Sequence, residues 1–99
     1  MVIRVKDFTE GDTAVSYDAG TKCLEKELQE LNDTGKIILD FEGINYVITA
    51  FLNPMIGDLI LQKGPDVMKN VTIENANQSI IQKIKMVKDG ALIKREDLE

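Results

Sequence analysis

The 99-residue sequence contains no histidine, no tryptophan, one cysteine and two prolines. Without histidine, Ser-His-Asp and Cys-His nucleophile arrangements are excluded, and so is every metal site that needs an imidazole. The lone thiol, Cys23, cannot form an internal disulfide, which suits a reducing compartment; the expected location is the cytoplasm. One cysteine and no histidine cannot build a structural zinc site, and no pair of acids is spaced so as to demand magnesium, so no cofactor is expected. No apolar run reaches about eighteen residues, and the polar N-terminus does not read as a signal peptide, so no membrane association is expected. Basic residues are also short: 12 Lys and Arg against 17 Asp and Glu leave a net charge of −5, which argues against a nucleic-acid partner. Only the last helical pattern gathers lysines (Lys83, Lys85, Lys88), and a solvated helix face accounts for them.

What is present is enough apolar sequence, 43%, for one core but not two, hence a single domain over 1–99. The stretch Lys36–Lys63 organises it. Ile37-Ile38-Leu39, closed by Asp40, reads as a short buried strand. A turn at Glu42-Gly43 leads to a second apolar step, Ile44 to Ile48. Phe51, Leu52, Met55, Ile56, Leu59 and Ile60 then recur in adjacent pairs four apart, the stripe of an amphipathic helix. Strand, loop and helix form half of an α/β unit, and sites in such sheets gather at the strands' carboxyl ends. The working surface is therefore sought at Asp40 to Asn53.

Around this unit, residues 2–8 predict a strand and Thr13–Tyr17 a second, joined as a hairpin through Thr9-Glu10-Gly11-Asp12. Ser16 or Asp18 caps a helix over Ala19–Asn32 whose stripe is Cys23, Leu24, Leu28 and Leu31, with Lys22, Glu25, Lys26, Glu27, Gln29 and Glu30 in water. Asp33-Thr34-Gly35 stops it. Gly64-Pro65-Asp66 breaks the chain before a strand within Val67–Glu74. Asn75 or Asn77 caps a last helix with Ile80, Ile81, Ile84 and Val87 inward, ending at Lys88-Asp89-Gly90. Residues 90–99 read as a further helical turn or two, or as a frayed tail. The expected class is α/β (α+β): a mixed sheet of roughly four to five strands with about three helices packed on it.

The central segment Ile38-Leu39-Asp40-Phe41-Glu42-Gly43-Ile44, with Tyr46-Val47-Ile48-Thr49-Ala50-Phe51-Leu52-Asn53 and Gly57, resembles the STAS-like proteins of unknown function, relatives of the anti-sigma factor antagonists. The opening strand and the stretch entering the first helix look similar too, so the resemblance covers nearly the whole chain. It implies a regulatory binding module and no enzyme activity. In anti-sigma factor antagonists a serine at the start of this helix is phosphorylated by a partner with a histidine-kinase-like ATP-binding fold, and the added charge decides binding. Here the serine position holds Ala50, and Ile48 stands where an acidic residue often precedes the acceptor. Thr49 is the only hydroxyl in the loop: either it substitutes as phospho-acceptor, or the copy has lost the switch and only binds.

Each candidate also has a plainer reading. Thr49 reads as a helix cap or strand-end residue as well as a phospho-acceptor, and Asp40 as a cap on nearby amides as well as a partner contact. Pro54 inside a helix begun at Ala50 would clash with the carbonyl four residues back, so the spacing predicts a loop over Thr49–Leu52, Asn53 as cap and a regular helix from Pro54 to about Lys63. Gly57 in a helix interior costs about 1 kcal/mol against alanine and suggests close approach of another backbone. Leu61 lies off the inward stripe, where it can join Asn53, Gly57 and Asp58 at a rim. The expected partner surface is thus Asp40, Thr49, Asn53, Gly57, Asp58 and Leu61. Its expected partner is another protein, an ATP-binding kinase-like regulator; the alternative is a small-ligand or nucleotide-binding module using the same loop.

Overall fold

A computed structural model describes residues 1–98, with side chains through Ile93. Along the chain come β1 (Val2–Arg4), β2 (Thr13–Ala14), α1 (Tyr17–Thr34), β3 (Ile37–Asp40), β4 (Tyr46–Val47), α2 (Thr49–Leu52), a π-helical turn (Asn53–Asp58), α3 (Leu59–Lys63), β5 (Val71–Glu74) and α4 (Gln78–Leu98). The α/β class and the order of elements are as the sequence indicates. The larger sheet has fewer strands than expected, because the five divide into a three-stranded sheet, β1-β3-β5, and a two-stranded one, β2-β4.

Both sheets are parallel. Ile3 lies opposite Leu39, which lies opposite Ile73, and Thr13 lies opposite Tyr46. The expected hairpin of the first two strands is therefore corrected. Val5–Phe8 tightens into a 3-10 turn that ends β1 at Arg4 and carries the chain to a separate sheet. Strand alternation turns Ile3, Ile37, Leu39 and Val71 into the core and leaves Val2, Thr72 and Glu74 exposed on the other face.

α1 is delimited as its end residues dictate. Ser16 Oγ accepts the Ala19 amide at 3.2 Å, and Gly35, at φ +79°, donates to the Leu31 carbonyl at 2.9 Å. Its wet residues need correction: Glu27 is fully buried and Glu30 nearly so, the latter paired with Lys26 at 3.0 Å.

The expected loop at 49–52 is also overturned. The Phe51 and Leu52 amides both donate to the Ile48 carbonyl, at 3.1 and 3.3 Å, so the helix starts at Thr49. Pro54 is accommodated by the π turn: it has no N–H to offer Ala50, and the wider turn frees its ring from that carbonyl. Phe51, Leu52, Met55, Ile56, Leu59 and Ile60 are all fully buried, as their spacing indicates. Gly64, at φ +97°, ends this helical rod, and Pro65–Asn70 forms a 3-10 turn, so β5 begins only at Val71.

Asn77 Oδ1 accepts the Ile80 amide at 2.9 Å and caps α4. The expected stop at Lys88-Asp89-Gly90 does not occur; Gly90 has no left-handed φ, and the helix runs through it. Ile80, Ile84, Val87 and Ala91 face the core, whereas Ile81 is exposed.

Candidate functional site

The rod from Thr49 to Lys63 and α4 enclose a groove of about 420 Å³. Thr49, Asn53, Gly57, Asp58 and Leu61 form one wall; Met86, Val87, Gly90 and Ala91 form the other. Residues four apart share a helix face, which aligns 49, 53, 57 and 61. The π turn packs more residues per turn, and adjacent Gly57 and Asp58 both border the groove. Five of the six residues expected at a partner surface are thereby brought together.

Asp40 is not among them. Its Oδ1 accepts Asn75 Nδ2 at 2.8 Å and the Glu42 amide at 2.9 Å, fastening the end of β3 to the residues after β5. The Asn75 bond, then the Glu42 bond, with Arg4 nearby, hold the carboxyl below the usual aspartate range. The capping reading fits this geometry. Asn75 takes φ +58°, a left-handed conformation asparagine tolerates, and so points its amide at Asp40.

Helix-interior glycines separate into two kinds. A Cβ on Gly20 would overlap the Phe51 carbonyl oxygen and come within 2.7 Å of Pro54 Cγ; here α1 presses directly on the rod. Among the described residues, a Cβ on Gly57 would meet only Val87 Cγ1 at an ordinary 3.5 Å, and one on Gly90 nothing within 4 Å. Close approach inside the fold thus requires Gly20, whereas Gly90 leaves exposed backbone along the groove and Gly57, itself buried, lies beside Val87.

The second wall escaped sequence reasoning because Val87 was assigned to the core and α4 was expected to end at Gly90. So did Lys83, which donates from Nζ to the Val47 carbonyl at 2.8 Å with the Tyr46 ring 4.2 Å away. Asn45 donates to Asp12 Oδ2 at 2.7 Å and its carbonyl accepts Asn77 Nδ2 at 3.1 Å. These ties fix the approach to Thr49 at the head of the groove. Their one signal in sequence is a lysine three residues after Ile80, beside the apolar stripe. Cys23 is fully buried, and burial, with Glu27 beside it, pushes its thiol pKa up, so no reactive thiolate is offered.

A family model described as a STAS-like domain of unknown function (DUF4325) matches residues 19–80. The chain belongs to that family. Neither a curated protein nor a solved structure matches it. The matched span takes in α1, the central unit and the start of α4 of this STAS-like domain; β1, β2 and the Met86–Ala91 wall fall outside it. Among the described residues, no helix is long and apolar enough to cross a membrane.

Proposed function

We propose that this STAS-like domain is a regulatory protein-binding module that docks its partner in the groove between the 49–63 rod and α4. The carrying observation is the convergence of Thr49, Asn53, Gly57, Asp58 and Leu61 on one concave surface. Two helical walls, apolar Leu61 and Met86 at the edges and two glycines without side chains suit a helix or loop of another protein. The partner class is a histidine-kinase-like ATPase, by resemblance to anti-sigma factor antagonists. Thr49 is exposed at the first position of the rod, where a phosphate would meet the positive end of the helix dipole without unfolding it. The nucleotide alternative fits less well, since among the described residues Asp58 is the one charged side chain lining the groove and it would repel phosphate.

Site-specific photo-crosslinking in the native cell tests this reading. A crosslinker at Asn53 should capture a discrete protein that one at Glu25, exposed on the far side of α1, does not. Thr49→Glu should change the yield. Equal capture from both positions, or none from Asn53, would overturn the assignment.

A further inference from the structure

Glu27 stands in the packing face of α1 with Gly20, Cys23 and Leu24, against α2 and the π turn. It has no solvent exposure, and neither carboxyl oxygen has a hydrogen-bond partner. Nothing packed around it supplies compensating charge among the described residues. α2 has no charged side chain, and Asp58 of the π turn borders the groove on the α4 side. Lys6 and Asp7 after β1 are exposed, Asp40 is held by Asn75 and Glu42, and Lys63 of α3 reaches Asn32 in an exposed contact. On α1 itself the neighbouring titratable group is the Cys23 thiol, itself kept neutral by burial, while Lys26 is engaged with Glu30.

A carboxylate ion without donors is not sustained in such a place; the group stays protonated, its pKa raised well above the ordinary glutamate value by burial. We propose that Glu27 is a proton-operated latch: with its proton on, α1 closes over the π turn, and release of that proton to solvent sends the side chain into water and parts α1 from the rod. The closed state then holds one proton more than the open state, so closure is fully stable below the open-state pKa and is lost as pH rises toward the closed-state value. Across that window the opening constant grows about tenfold per pH unit.

The experiment follows the Glu27 carboxyl carbon by NMR together with hydrogen exchange of the α1 and π-turn amides, corrected for intrinsic base catalysis. At pH 5.5 the carboxyl signal should still report the protonated form, when exposed carboxylates have titrated. Between pH 5.5 and 7.5, where the Cys23 thiol stays neutral, the opening constant should climb by up to about 100-fold. In Glu27→Gln it should stay level; if that variant does not fold, the apolar Glu27→Met gives the same reading. Titration of the carboxyl alongside the surface acids would overturn the proposal, and so would an equal climb in either variant.

Discussion

Side-chain space at single positions separates what the fold needs from what the surface leaves open. Gly20→Ala places a methyl against the backbone oxygen of Phe51 and the Pro54 ring, neither of which can swing away. Overpacking of this kind should cost about 1–3 kcal/mol in urea unfolding. Gly90→Ala meets nothing within 4 Å among the described residues and should gain up to about 1 kcal/mol of helix propensity. Asp40 gives a pH-dependent counterpart. Because its native pKa is lowered, chiefly by Asn75, its contribution is present above the unfolded-state value near 4 and is lost as pH falls through the native one. Asn75→Gly keeps the left-handed backbone but removes the bond. The stability gap between wild type and this variant should therefore narrow below about pH 4, leaving only the pH-independent cost of glycine. A gap constant from pH 6 to pH 2 would show that the bond does not discriminate the carboxylate from the acid.

At the level of elements, local chemistry decided what could be read in advance. α1 carried its own signals, Ser16 at one end and Gly35 at the other, and both act as caps. Ile37–Asp40 is short, apolar and bounded by turns, and it forms β3. The pairing of β2 with β4 had no such local mark, because Thr13 meets Tyr46 across a long stretch of chain in a sheet only two residues deep. Glu27 was hidden by its own charge: Gly20, Cys23, Leu24, Glu27, Leu28 and Leu31 have the spacing of one helix face, and the acid sits in the middle of it. Pro54 misled for a different reason. The rule against proline in an α-helix is sound, but here the helix widens rather than stops. The π turn sets the proline ring against α1 beside Gly20, which makes the two residues energetically coupled. In a double-mutant cycle, Gly20→Ala should cost less in a Pro54→Ala background than alone, by about 0.5–2 kcal/mol. Strict additivity would mean that the ring is not what α1 rests on.

Over the whole molecule, the rod from Thr49 to Lys63 serves two neighbours at once: α1 closes on it and α4 runs along it. The half of the groove borne by the rod was legible because an amphipathic helix puts its off-stripe residues on a predictable side. The half borne by α4 was not, since glycine beside a basic turn reads locally as a helix end, whereas α4 runs on through Gly90. That same glycine permits a separation of fold from docking. Gly90→Leu places its Cβ where no described atom lies within 4 Å and adds helix propensity, so the thermal midpoint should hold or rise. If a partner seats in the groove, the leucine occupies its place, and binding should fall by tenfold or more, equivalent to about 1.4 kcal/mol. Calorimetric melting with affinity measured against the crosslinked partner checks both halves. A folded Gly90→Leu variant that binds as tightly as wild type would move the interface off this groove, while leaving the packing of α1 on the rod untouched.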